Sequence, residues 1–255
     1  MTKIEWAERS WNPITGCTPI SEGCANCYAK KFADRLGAMG IYDSRKPFAV
    51  RMWPKRMNEP YTWKYPSRVF VCSMGDLFHE DVDDHAIDTV INTAEALGRH
   101  TWMVLTKRPE RMAQYFLRRP VPATMWLGAT VENQRAVNTR LDALTSIRTS
   151  RLWVSAEPLL QPISMTKYLG LSYDRRPTSP PTVGWVVCGA ESGSGRRVFR
   201  EEWARHLKEQ CVAAGVPFFY KKGPVSGQKH PVSLPILDGK RWEQYPMIDV
   251  TGVAA

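Results

Sequence analysis

Arg68-Val69-Phe70-Val71-Cys72-Ser73 is an apolar run of strand length, followed by a helical pattern over 84–97 and then by Thr101-Trp102-Met103-Val104-Leu105-Thr106. Runs with so little polar alternation mark strands covered on both faces. Two of them joined by a helix predict a parallel βαβ unit. The same rhythm continues outward. Strands are predicted at 125–130, 151–155, 183–189 and 216–220, separated by helical patterns at 109–116, 134–144 and 200–214. Asn133 or Glu132 can cap the helix that starts at 134, and Gly98 and Gly215 can close two others. A short strand within residues 1–16 brings the count to about seven parallel strands. The expected fold is α/β, a partial or irregular (β/α) TIM-like barrel, with a doubly wound open sheet as the alternative.

Residues 1–255 read as one domain, since a single α/β barrel of this length is ordinary. Residues 37–67, rich in Gly and Pro, form an irregular excursion whose Phe48, Trp53, Tyr61, Trp63 and Tyr65 can pack on the body or stack on a base. Residues 161–182 read as an insertion with a surface loop at 175–181. Residues 223–255 are a C-terminal extension with a hairpin turn at Leu237-Asp238-Gly239-Lys240 and a frayed end. The start of the chain has no signal-like apolar segment, and no run approaches eighteen apolar residues, so a cytoplasmic protein without membrane spans is expected. Cys72, Cys188 and Cys211 then read as buried free thiols. A net charge of +10 suits an anionic partner such as DNA or a nucleotide.

Cys17, Cys24 and Cys27 stand within eleven residues, in a loop with Pro19 and Gly23. Three thiolates on an iron–sulfur cubane leave one iron open to a small ligand, and radical chemistry fills that position with S-adenosylmethionine. Structural zinc is an alternative, but its fourth ligand would come from as far as Cys72 or His79. A disulfide with a spare thiol, or a Cys-x-x-Cys redox pair that leaves Cys17 over, are others.

Active sites of such folds lie at the C-terminal ends of the strands. There the sequence places Ser73 and Asp76 with His79 and Glu80, then Lys107 and Arg108, then Glu132 and Asn133, then Glu157, Glu191 and the pair Lys221-Lys222. Adenosylmethionine needs an acceptor for its ammonium, for which Ser73 or Asp76 is expected. Its carboxylate needs a cation, Lys107 or Arg108, and its ribose needs hydrogen bonds, from Glu132 or Asn133. Glu157, Glu191 and Lys221 are the candidates for proton handling. Each of these groups can instead cap a helix or sit solvated at the surface. The loop 189–197 can cradle a phosphate, but it lacks the Lys-Ser/Thr ending of a P-loop.

Taken in order, Trp11-Asn12-Pro13, Gly16-Cys17, Gly23-Cys24 and Asn26-Cys27-Tyr28-Ala29 resemble the opening of the phage Gp37/Gp68 family of radical-SAM-like proteins. The blocks at 73–80, 105–111, 130–134, 155–159, 189–193 and 237–242 resemble its later ones. The resemblance implies a [4Fe–4S] cluster on Cys17, Cys24 and Cys27 with S-adenosylmethionine on the free iron. The gap of six residues between Cys17 and Cys24 departs from the commoner radical-SAM spacing of three. For some phage members the implied activity is an isomerase of thymidine hypermodification. It converts N-linked glycyl-thymidine to the Cα-linked form after a 5′-deoxyadenosyl radical abstracts hydrogen. The implied partners are DNA or a modified thymidine nucleotide and an electron donor. Another radical enzyme acting on nucleic acid, a lyase or repair enzyme, and a metal-containing nucleic-acid-binding protein are the competing readings.

Overall fold

The computed structural model describes residue 2 and residues 4–170, 182–193, 195–225 and 230–246. In chain order the strands and helices are β1 (Arg9–Trp11), β2 (Ile14–Thr15), α1 (Tyr28–Ala38), β3 (Arg51–Met52), α2 (Pro54–Met57), β4 (Arg68–Val71), α3 (Asp84–Ala96), β5 (Thr101–Thr106), α4 (Pro109–Phe116), β6 (Met125–Thr130), α5 (Gln134–Thr145), β7 (Leu152–Ala156), β8 (Val183–Gly189), α6 (Glu201–Ala213), β9 (Phe218–Gly223), β10 (Val232–Ser233), β11 (Ile236–Leu237) and β12 (Lys240–Arg241). The chain divides into two compact units. The first holds the described residues up to 108 together with 122–126, and the second holds 109–121 and the described residues from 127 onward.

In the first unit β1, β4 and β5 run parallel, with Arg9 opposite Val69 and Val69 opposite Trp102. Val69, Val71, Trp102 and Val104 have no exposed surface, as expected of strands covered on both faces. The α3 helix adds buried Ile87, Val90 and Ile91, and the Asp83 carboxylate caps it by accepting from the Ala86 N–H at 2.7 Å. The expected first strand is two short ones, interrupted at Pro13, which has no N–H to offer a ladder. β2 pairs antiparallel with β3 and so ties down the irregular excursion. Trp53 donates its indole N–H to Thr15 Oγ1 at 2.7 Å and stacks on Tyr42, whereas Tyr61 and Tyr65 stay exposed.

Tyr28, Phe32 and Leu36 share one face of α1 by their spacing, but the helix buries Ala29, Ala33 and Gly37 and leaves Tyr28 and Phe32 about half exposed. The small residues allow close approach: a Cβ on Gly37 would lie 2.9 Å from Pro47 Cβ.

In the second unit β6, β7, β8 and β9 are parallel, and β10 joins β9 antiparallel. Seven strands thus run parallel within their units, as the sequence rhythm implies, and the class is α/β. Trp153, Trp185 and Phe219 line one face in a row, with ring centroids 5.4 and 6.3 Å apart. Gly128 makes room for that row, since a Cβ there would lie 2.4 Å from the Trp153 ring. β9 begins at Phe218 rather than 216 because the Val216 N–H is taken by Cys211 O at the end of α6 and Pro217 has none. The predicted turn joins β11 to β12, with Asp238 and Gly239 both in the left-handed region. Asp238 accepts from Arg205 and Lys208, which fastens the hairpin to α6. The surface loop expected at 175–181 and the frayed end lie outside the described residues. No helix among the described residues is long and apolar enough to cross a membrane.

Candidate functional site

The three parallel strands of the first unit end side by side, and the cysteine loop lies there. After β1, Asn12 Oδ1 accepts from the Ser73 hydroxyl at 3.1 Å and the Met74 N–H at 2.8 Å, which joins the end of β1 to the turn after β4. Gly16, at φ +89°, then turns the chain into the loop, and a Cβ there would lie 2.1 Å from Ala49 O. Cys17, Cys24 and Cys27 follow, all free and partly exposed, with Cys27 at the N-cap of α1. Tyr28 donates its hydroxyl to Ser73 O at 2.5 Å.

Arg108, just past β5, organises this end. Its Nε donates to Glu80 Oε2 at 2.6 Å and its Nη1 to Asp76 Oδ2 at 3.2 Å. Nη1 also reaches Cys17 Sγ at 3.5 Å, and Nη2 donates to Thr18 O at 3.3 Å and Thr18 Oγ1 at 3.0 Å. Asp76, nearly buried, additionally accepts from the Thr106 hydroxyl at 2.7 Å and the Phe78 N–H at 3.0 Å. The guanidinium hydrogen bond holds the Glu80 carboxyl down at about 2. Burial pushes the Cys17 thiol up to about 11, helped by Asp76 and opposed by Arg108.

His79 fastens the loop from the other side. Its Nδ1 accepts from the Asp81 N–H at 3.0 Å, and its Nε2 lies 2.8 Å from Thr18 Oγ1. Nε2 also accepts from the Thr18 N–H at 3.1 Å, so both ring nitrogens face backbone donors. Burial, followed by the Arg108 charge, lowers its pKa.

Asp76 and Arg108, each one of two alternatives for a contact to adenosylmethionine, are engaged with each other and with neighbouring protein groups. Lys107 makes no side-chain hydrogen bond or ion pair among the described residues. Burial raises the Cys24 pKa, but a backbone hydrogen bond at Ile20, then the Lys107 charge, then hydrogen bonds at Ser21 outweigh it, so the pKa is lowered. Ser73 remains beside the loop through its contacts to Asn12 and Tyr28. Three free thiols beside two cations suit a thiolate-held cluster chemically. Among the described residues, however, no three Cys, His, Asp or Glu side chains are gathered as a metal-holding group. Cluster binding would therefore involve movement of the loop, as is usual when ligation and folding are coupled.

The remaining predicted residues lie in the second unit, and each carboxylate there has a cation. Glu132 is fully buried and pairs with Arg140 at 2.7 Å, which leaves no exposed oxygen for the expected ribose. Asn133 caps α5 by accepting from the Ala136 N–H at 2.8 Å. Glu191 receives Arg197 at 2.5 Å, so that arginine is committed within the loop read as a phosphate cradle. Glu157 accepts from Lys221 at 2.9 Å and from the Ser155 hydroxyl at 3.1 Å. Gly189 admits it, since a Cβ there would lie 2.8 Å from Glu157 Oε1. Sequence reasoning overlooked Asn12, Thr18 and the loop-fastening role of His79. Asn12 and His79 stand inside recognisable blocks, but nothing local in the sequence marks Thr18.

The model of a family described as "Protein of unknown function (DUF5131)" matches residues 1–246. No curated protein matches the chain. Among solved structures, spore photoproduct lyase complexed with dinucleoside spore photoproduct is similar at 12% identity and TM-score 0.45, over 87% of this chain and 66% of that one. The chain therefore spans just under two thirds of that protein. A cysteine-to-serine mutant of spore photoproduct lyase is similar at 13% identity and TM-score 0.46, over 79% of this chain and 71% of that one.

Proposed function

We propose that this chain, which belongs to the DUF5131 family, is a radical S-adenosylmethionine enzyme acting on nucleic acid. The observation that carries the reading is the loop of three free thiols at the C-terminal ends of adjacent parallel strands, its first cysteine held under Arg108. Cys17, Cys24 and Cys27 would hold a [4Fe–4S] cluster, which supplies one-electron cleavage of S-adenosylmethionine when bound. Arg108 and His79 fix the loop through Thr18, and Lys107 offers a positive charge to the carboxylate of the cofactor. Ser73 is the remaining polar side chain for its ammonium. Glu157 and Lys221 form a proton-handling pair, with Glu191 the other candidate.

The finer reading follows the ordered sequence blocks that resemble the phage Gp37/Gp68 family. On that reading the substrate is N-linked glycyl-thymidine in phage DNA. Hydrogen leaves the glycine Cα, the link to the thymine methyl carbon moves from nitrogen to that Cα, and hydrogen is returned, so the product is an isomer. The basic charge of the chain suits such a polyanion.

Anaerobic reconstitution tests the class. The expected result is a brown protein with about four irons per chain that forms 5′-deoxyadenosine under dithionite, with iron lost on Cys17→Ala, Cys24→Ala or Cys27→Ala. A colourless zinc protein refutes it. Nucleoside analysis of DNA carrying glycyl-thymidine tests the isomerisation.

A further inference from the structure

The three parallel strands of the first unit carry a second polar site at their N-terminal ends, away from the cysteine loop. Thr2, Arg9, Ser10, Glu59 and Trp63 line a cavity of about 310 Å³ there. Arg9 opens β1. Its Nε donates to Ser67 Oγ at 3.3 Å, and its guanidinium lies over the Trp63 ring at 4.9 Å. Ser67 in turn donates to Tyr65 O at 3.1 Å. Trp63 is itself fixed. Arg99 donates to its carbonyl at 2.7 Å, and His100 and Trp102 pack against its ring with centroids 5.7 and 6.5 Å away. The Arg9 guanidinium is thus held by its Nε and by one face, while its two terminal amino groups have no partner among the described residues. The Glu59 carboxylate has none either, so two opposite charges line one cavity without pairing. The Thr2 hydroxyl accepts from Ser10 at 3.0 Å and from the Ile4 N–H at 3.3 Å, which leaves its own proton to donate.

We propose that this cavity binds a guanine base presented by single-stranded nucleic acid. Guanine carries two acceptors, O6 and N7, on one edge and donors at N1 and N2 on another. The fixed guanidinium fork suits the acceptor pair, the commonest specific contact of arginine to a base. The carboxylate, an acceptor only, suits the donor pair. Adenine places a donor where guanine has O6, and the pyrimidines have no N7. Glu59 opposes a bare phosphate, and the volume stands at the small end of ligand cavities, enough for one base but not for a duplex. The chain neighbours of Trp63 favour a strand over a free nucleotide. Tyr61 and Tyr65, two residues to either side, are 52% and 74% exposed, and Lys64 stands between Trp63 and Tyr65. Exposed rings interleaved with cations are the platforms on which successive unpaired bases stack. Arg9 is oriented before any ligand arrives, so little freedom is lost on binding. The site goes beyond the radical reading and needs no cluster.

Fluorescence anisotropy of the full chain with dye-tagged thymidine dodecamers tests this. A strand with guanine at one central position should bind about tenfold more tightly than the same strand with adenine there. Glu59→Gln keeps one acceptor oxygen and loses the charge. It should abolish the guanine preference while binding of the all-thymidine strand holds or tightens, whereas a purely electrostatic role would shift every strand alike. Arg9→Lys keeps the charge but not the fork and should also lose the preference. Glu59 lies at the surface, so its variant decides the matter if Arg9→Lys disturbs the packing on Trp63. Guanosine monophosphate should displace the guanine strand but bind about tenfold more weakly, since it brings no neighbouring bases to stack. Equal affinity of nucleotide and strand overturns the strand as the source of the base. A parent chain without preference for guanine, or a preference that survives both substitutions, overturns the proposal as a whole. A chain that takes up no iron yet keeps the preference refutes the radical reading alone and leaves this inference standing.

Discussion

Replacing Arg108 by leucine removes the charge that joins β5 to the cysteine loop. The Arg108 and Asp76 side chains are only 10% and 7% exposed, so this ion pair is shielded from solvent. Removing one partner of such a pair leaves a charge stranded and costs about 3–5 kcal/mol. Asp76 keeps the Thr106 hydroxyl and the Phe78 N–H, which favours the lower end of that range. The bond to Glu80 adds little, because the Glu80 side chain is 59% exposed and pairs of that kind are worth about 1 kcal/mol at most. Arg108→Leu should therefore lower the unfolding free energy by about 3–4 kcal/mol. Arg108→Lys keeps the charge but not the fork and should cost about half as much. Glu80→Gln should stay within about 1 kcal/mol. The assay is urea denaturation of the metal-free chain at neutral pH under reducing conditions. A cycle with Asp76→Asn should give a coupling of about 2 kcal/mol. The reasoning is refuted if Arg108→Leu falls within about 0.5 kcal/mol of the parent, the range of ordinary surface changes, or if the coupling is near zero.

Gly128→Ala places a Cβ 2.4 Å from the Trp153 ring, and this overpacking should cost about 1–3 kcal/mol, read as a lower melting temperature; an unchanged one contradicts the packing described. His79 and His100 are both held below their ordinary pKa by burial, aided by Arg108 and Arg99 respectively. The unfolded chain binds these protons more readily than the folded one, so stability rises with pH in that window. It is present in full above about pH 6.5 and lost as pH falls through the lower folded values. The urea midpoint should drop between pH 7.5 and 5.5, more weakly in a His100→Phe variant, and a midpoint that holds or rises excludes this. Glu80, with its folded pKa near 2, loses its contribution only in much stronger acid and does not overlap that window. Glu157→Gln and Lys221→Met should each lower product formation by about 10²-fold while iron content and 5′-deoxyadenosine yield hold; unchanged product formation makes the pair a structural one.

The α/β class was legible because six apolar runs, most of them separated by helical periods, follow one another, and most predicted bounds lie within two residues of those observed. The α1 helix shows where the pattern fails. Large apolar residues at helical spacing mark a face, but not which way it points. In α1 the decision went to Ala29, Ala33 and Gly37, whose small size lets the backbone approach Pro47. The polar strand ends were legible as a set but not as pairs. Arg108 and Asp76 stand 32 positions apart, Glu157 and Lys221 farther still, and no local pattern states that they meet. Periodicity reports burial along one element, whereas ion pairing depends on which elements become neighbours.

The two consecutive cations after β5 illustrate what that distinction decides. Composition and position make Lys107 and Arg108 interchangeable candidates for one ligand carboxylate. Their chemistry separates them. A guanidinium is a rigid planar fork suited to several fixed acceptors at once, whereas an ammonium on a flexible stem adapts to whatever arrives. Arg108 meets Glu80, Asp76, Cys17 and both oxygens of Thr18, all belonging to the protein. Lys107 is left to act on Cys24, whose pKa is lowered while that of Cys17 is raised. Arg108 thus contacts the first thiol of the loop, and Lys107 adds its charge to the hydrogen bonds at Ile20 and Ser21 that favour the second as thiolate. An arginine at 107 would tend to collapse onto the carboxylates that Arg108 already satisfies. A lysine at 108 could not span from Glu80 to Thr18. The order Lys107-Arg108 therefore matters more to the site than the presence of two positive charges.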